Sequence, residues 1–233
     1  MMDSSHSLFA FLSLETHPMT SRSTPRISSR KQPRQARSTA LVTAILEAAI
    51  QVLAEEGAPR FTTARVAERA GVSVGSVYQY FPNKASILFQ LQLEEWQRTT
   101  ALMREILQDT HYPPLQRMRT LVLAFVRSEC EEAAMRTALD DAAPLYRDAP
   151  EVMAAKAAGE GIFQTFVQEV LPSETPARQA LVCELVTTTI GAVGKAFSSV
   201  PRSEAEITAF AAELGEMVCG YLQLKDEMSR SGD

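Results

Sequence analysis

Beyond residue 37, apolar positions recur along the chain at intervals of three and four, the period of helices that bury one face. Leu41, Ile45, Ala48, Ala49, Val52 and Leu53 predict a first helix starting near Ser38 and closed by Gly57 and Pro59. Thr62 suits the N-cap of a short second helix that turns Val66, Ala67 and Ala70 inward. Gly71 supplies a positive φ for a tight turn, Ser73 caps a third helix to about Phe81, and Pro82 stops it. Asn83 caps a fourth, which carries Ile87, Leu91 and Trp96 and runs from Lys84 to about Leu107. After His111-Tyr112-Pro113-Pro114, a fifth helix aligns Leu121, Phe125 and Val126. Breaks fall near Ala143-Pro144 and Ala149-Pro150, and a further helix with Ile162, Phe163, Phe166, Val167 and Val170 ends at Pro172. Two long helices, at about 176–198 and 203–228, close the pattern. The last carries a wide stripe of Ile207, Phe210, Ala211, Leu214, Met217, Val218, Tyr221 and Leu222. No strand alternation and no internal repeat is visible, so the expected fold class is all-α.

The stretch 61–84, FTTARVAERAGVSVGSVYQYFPNK, places two short helices about the turn Gly71-Val72-Ser73. Ala67 is small where the helices cross, and Val77 is apolar where the second meets the first. That is the helix-turn-helix pattern, whose second helix enters the DNA major groove. The net charge of −5 fits this only when divided: residues 1–90 carry ten Lys/Arg and six Asp/Glu, leaving −9 for the remainder. A basic front on an acidic body suits a DNA-reading head. Ahead of it, residues 1–36 are rich in Ser, Thr, Pro and Arg and are expected to be a disordered tail. Arg22, Arg26, Arg30, Lys31, Arg34 and Arg37 form a basic run without an acid, with Arg34 and Arg37 nearest the head as candidate DNA contacts.

Three scattered cysteines, Cys130, Cys183 and Cys219, predict reduced, mostly buried thiols and a cytoplasmic protein. His6, His17 and His111 make no ligand spacing with them, so neither a metal nor a cofactor is expected. No apolar stretch reads as long enough to span a bilayer, and the segment from Leu8 to Leu12 lacks the basic flank of a secretory signal, so no membrane partner is expected. Met19 is an alternative start to Met1, which makes residues 1–18 an over-extended reading frame. Catalysis is not expected: Asp140-Asp141 and Glu129, Glu131 and Glu132 complete no Glu-x-x-His pair, phosphate loop or nucleophile motif.

Residues 37–96 resemble the N-terminal domain of the TetR family of bacterial transcriptional regulators. The resemblance rests on Ala67-x-x-Ala70-Gly71-Val72-Ser73-x-Gly75-Ser76-Val77-Tyr78-x-Tyr80-Phe81-x-Asn83-Lys84. It implies that Thr63 and Lys84 bond backbone phosphates, that Ser73, Val74, Gly75, Ser76 and Gln79 lie in the major groove, and that Tyr78 and Tyr80 touch phosphates or base edges. Family members often carry a charged or long polar residue near Ala64 or Val74; here both are small or apolar. Val74 then suits a thymine methyl, leaving Gln79 and the basic tail as candidate specificity elements.

The resemblance also implies a DNA-binding domain at 37–84, a helical effector-binding and dimerisation domain at 85–228, and a short tail at 229–233. The expected partners are double-stranded DNA, a second copy of the chain and an unidentified small-molecule effector. The homodimer is expected through the last two long helices, whose apolar stripes are wider than one partner helix covers. Gly191, Ala192, Gly194 and Ala196 allow close backbone approach, either to that second copy or to a neighbour within the chain. Candidate effector contacts are Met118, Phe125, Met135, Tyr146, Met153, Phe163, Phe166 and Thr187, with Arg127, Glu129, Asp140 and Asp141 available to orient a polar group. The expected function is a ligand-released repressor on a palindromic operator; the alternative is a DNA-binding dimer controlled by a protein or by no small ligand.

Overall fold

The computed structural model describes residues 36–142 and 150–231. The tail, including Arg34, and the candidate contact Tyr146 lie outside the described residues, as do the side chains of Arg37, Asp140, Asp141 and Met153. Among the described residues there are nine α-helices, one 3₁₀ turn and no strand. The helices are α1 (Ala36–Glu56), α2 (Thr63–Arg69), α3 (Val74–Tyr80), α4 (Lys84–Leu107), α5 (Pro114–Glu131), α6 (Ala133–Ala142), α7 (Pro150–Val170), α8 (Pro176–Ser198) and α9 (Glu204–Ser231).

The described residues fall into two compact units. The head comprises 36–95 with 134–142 and 150–152; the body comprises 96–133 with 153–231. This division differs from the one drawn at residue 84. The head core extends into α4 through Ala85, Ile87, Leu88 and Leu91, all buried. The head also takes in α6, which the sequence did not separate from α5: the break at Glu132 (φ −107°, ψ 13°) has neither Gly nor Pro to announce it.

The helix starts are set by local side-chain caps. Thr62 accepts from Arg65 N at 3.3 Å, Ser73 from Ser76 N at 3.0 Å, and Asn83 from Ser86 N at 2.9 Å. Ser203 and Glu206 form a reciprocal capping box at the start of α9, with Ser203 N donating to Glu206 Oε2 at 2.8 Å and Glu206 N donating to Ser203 Oγ at 3.3 Å. α3 ends one residue earlier than expected, because Phe81 precedes Pro82 and adopts the extended conformation that a following proline favours.

Two helices, Ser38–Glu56 and Pro176–Ser198, do reach the length and composition of a membrane span, each with mean hydropathy 1.4, contrary to the sequence expectation. Their apolar residues are used inside the folded units: Ile45, Ala49, Val52 and Leu53 in the head, and Val182, Val186 and Ile190 in the body.

In the body, α5 packs against both α8 and α9. Gly191 and Gly194 are buried within the chain, while Ala192 and Ala196 are exposed. The two glycines therefore serve the intramolecular crossing rather than a second copy. A Cβ added at Gly194 stands 2.5 Å from the ring of Phe125, itself buried at 2 % exposure. Gly194→Val is expected to overpack this crossing and destabilise the body by about 2 kcal/mol. Gly161→Ala on α7, where an added Cβ meets nothing within 4 Å, is expected to stabilise by up to ~1 kcal/mol. Thermal melts of the two variants should move in opposite directions.

Candidate nucleic-acid interface

α1, α2 and α3 enclose a small core in which Phe61, Val66, Ala67, Val77, Tyr80 and Phe81 are buried. Gly71, at φ 67°, makes the turn between α2 and α3 in a conformation that an L side chain resists. Ala70 N and Val72 N donate back to Val66 O and Ala67 O, so the turn's backbone is satisfied within the head.

Burying Val77 and Tyr80 turns the opposite side of α3 outward. Val74, Gly75, Tyr78 and Gln79 are exposed, at positions related by four residues in two pairs, and Ser73 is exposed beside them. Ser73 Oγ lies 2.8 Å from Ser76 Oγ. Thr63 Oγ1 lies 3.1 Å from Tyr78 OH, bringing together the two hydroxyls expected to bond phosphate from different helices. Lys84 is exposed at the start of α4. Tyr80 corrects the expectation for the tyrosines: at 6 % exposure it belongs to the head core, and Tyr78 is the one that faces out. The signal was present in the sequence, since Tyr80 stands three residues from the inward Val77 and shares its face.

A Cβ at Gly75 would have only Ser73 Oγ, at 3.7 Å, as a neighbour, and Gly75 has no positive φ. No backbone or packing demand of the head requires glycine there.

The candidate effector residues separate. Met118, Phe125, Phe163 and Phe166 join one buried apolar cluster in the body, and Thr187 is buried in the body as well. Thr187 donates to Cys183 O in its own helix at 2.7 Å. Met135 lies instead on α6, in the head unit, half-buried. Arg127 is half-buried and paired with Glu204, whereas Glu129 is buried. Burial pushes the thiol of Cys183 up to about 11, with Glu160 and Glu184 adding to it, so this thiol stays protonated and unreactive near neutral pH.

Several buried polar residues carry no signal in the sequence, Gln92, Glu95, Arg117 and Arg136 among them. In the head, Arg136 Nη1 lies 2.9 Å from Glu95 Oε1, and Gln92 Nε2 donates to Glu95 Oε2 at 3.1 Å. In the body, the buried Arg117 donates to Leu107 O and Glu169, with its guanidinium 5.7 Å from the centre of the Phe166 ring. Their composition reads as solvated charge; only pairing across distant segments identifies them as interior.

A family model described as "Bacterial regulatory proteins, tetR family" matches residues 45–91. A second, described as "Tetracyclin repressor-like, C-terminal domain", matches residues 113–224. The chain is 38% identical over 61 residues to the fatty acid metabolism regulator protein of Bacillus subtilis (strain 168), covering 26% of this chain and 31% of that one. It is 24% identical over 143 residues to the HTH-type transcriptional repressor KstR of Rhodococcus jostii (strain RHA1), covering 61% of this chain and 66% of that one. The chain thus spans about one third and just under two thirds of these two relatives. Its fold is similar to that of the transcriptional regulator FadR from Bacillus subtilis in complex with stearoyl-CoA, at a TM-score of 0.59 and 17% identity, covering 76% of this chain and 97% of that one.

Proposed function

Since the chain belongs to the TetR family of bacterial transcriptional regulators, we propose that it is a cytoplasmic repressor that binds a palindromic operator as a homodimer and is released by a small-molecule effector. The exposed face of α3, flanked by the Thr63–Tyr78 hydroxyl pair, carries this reading. Ser73, Val74, Gly75, Ser76 and Gln79 meet the major groove, while Thr63, Tyr78 and Lys84 hold phosphates on either side. Arg34 and Arg37 extend the contact along the backbone.

The two-fold partner is a second copy docked on α8 and α9. These helices keep Leu181, Leu185, Met217, Leu224 and Met228 about half exposed, apolar area that pairing removes from water. Two recognition helices then stand ~34 Å apart, one turn of DNA. Leu185→Glu is expected to halve the native mass in solution while keeping the helical circular-dichroism signal, and to weaken operator binding. A Leu185→Glu protein that stays dimeric, or a monomeric wild type, contradicts this pairing.

The effector is an organic molecule with a large apolar part, received by the body. The fold likeness to a stearoyl-CoA complex makes that compound the first ligand to test. One observation favours the second reading, a dimer without a small ligand: Met118, Phe125, Phe163, Phe166 and Thr187 are all at most 2 % exposed, so a ligand has to displace them. Titration of stearoyl-CoA into the protein–DNA complex separates the two. Release supports an acyl effector; intact complex after a wider panel of apolar ligands supports the ligand-free reading.

A further inference from the structure

Five cations of the head have described side chains: Arg60, Arg65, Arg69, Lys84 and Arg136. Three of them are already held by carboxylates. Arg65 pairs with Glu56, Arg69 bonds both carboxylate oxygens of Glu55 and also Gln51, and Arg136 is buried against Glu95. Among the described residues, Arg60 and Lys84 are the two head cations with no acidic partner, and both are exposed. The DNA-binding role of Lys84 is already part of the proposed function; Arg60 has none.

The chain around Arg60 is fixed. Gly57, at φ 75°, starts the 3₁₀ turn Ala58–Arg60, and Arg60 N donates to Gly57 O at 3.3 Å. The next residue, Phe61, is anchored in the core at 2 % exposure, and Thr62 follows as the N-cap of α2. Arg60 therefore stands three residues before Thr63, within about 10 Å of it along the chain. Thr63 is tied to Tyr78 on the outward face of α3. An exposed guanidinium on a fixed turn three residues from that hydroxyl pair has the reach and the fork geometry to bond a phosphate in two-point fashion.

We propose that Arg60 is a positioning residue that grips a DNA backbone phosphate next to the one held by Thr63 and Tyr78. The proposal rests on the DNA-reading function above. It assigns Arg60 to register and affinity rather than to base choice, because a phosphate contact carries no sequence information.

The test is a salt series of duplex DNA binding by the full-length protein and four variants: Arg60→Gln, Arg60→Lys, Lys84→Gln and Arg104→Gln. Each lost phosphate contact lowers the slope of log affinity against log salt by about 0.9. Arg60→Gln and Lys84→Gln are each expected to lose about that much, uniformly on operator and non-operator DNA. Arg60→Lys should keep most of the slope, and Arg104→Gln, an exposed cation of the body, should keep all of it. Arg60→Gln with the wild-type slope, while Lys84→Gln loses its share, overturns the role of Arg60 and leaves the DNA reading intact. A wild type with no salt slope overturns the DNA reading itself. Arg60 is exposed and unpaired, so its variants should melt like wild type, and a melt confirms that each is folded.

Discussion

Gly75→Val is expected to leave the head folded and to weaken operator binding about 100-fold or more, equivalent to about 2.7 kcal/mol. The first half follows from the surroundings of Gly75. An added Cβ has only Ser73 Oγ nearby, at 3.7 Å, and the backbone is not in a conformation that excludes side chains. Valine also has a better helix propensity than glycine, so the melting temperature should hold or rise slightly. The second half follows from direction. Gly75 lies on the exposed face of α3 opposite Val77 and Tyr80, the face proposed to enter the major groove. A branched side chain there keeps the helix from seating, and every contact made by Ser73, Ser76 and Gln79 lengthens with it. Fluorescence anisotropy on operator DNA, with a thermal melt of the same sample, reads both halves. Tight binding by a folded Gly75→Val protein would remove α3 from the groove.

Arg136→Met is expected to be the most destabilising single change in the head, by about 3–5 kcal/mol. The guanidinium and the carboxylate of Glu95 are almost completely withdrawn from water, with side chains 10% and 3% exposed. Removing the cation leaves a buried carboxylate without the guanidinium that faces it. Replacing both, as Arg136→Met with Glu95→Leu, should recover most of the loss, since a well-packed apolar pair of similar volume avoids the desolvation of both charges. Denaturant unfolding of the single and double variants measures this directly. A single variant that melts like wild type shows that the pair is not buried in solution.

The contrast between Thr62, Ser73 and Asn83 on one side and Arg136 on the other shows which parts of this fold are legible in the chain. Caps, the Gly71 turn and the proline stop after Phe81 are set by neighbours within a few residues, so their chemistry is readable from the order of residues. The outward face of α3 is readable for the same reason, apart from Tyr80, which the resemblance places at the DNA and helix periodicity places in the core, where it is buried. The Glu132 break, the membership of α6 in the head and the Arg117 and Arg136 pairs depend on segments distant in sequence. Glu95 and Arg136 each look like ordinary helix-surface charge until packing brings them together. The candidate effector residues are the least legible, because Met and Phe at helical spacing describe a filled core and a ligand pocket equally well.

The most direct measurement is selection of bound sequences from random duplex DNA, followed by footprinting on the selected site across a salt series. The expected result is an inverted repeat with half-sites about one helical turn apart, protected as a unit, and an affinity that falls steeply with salt. Recovery of no common sequence, with no salt-dependent protection at any site, would contradict it.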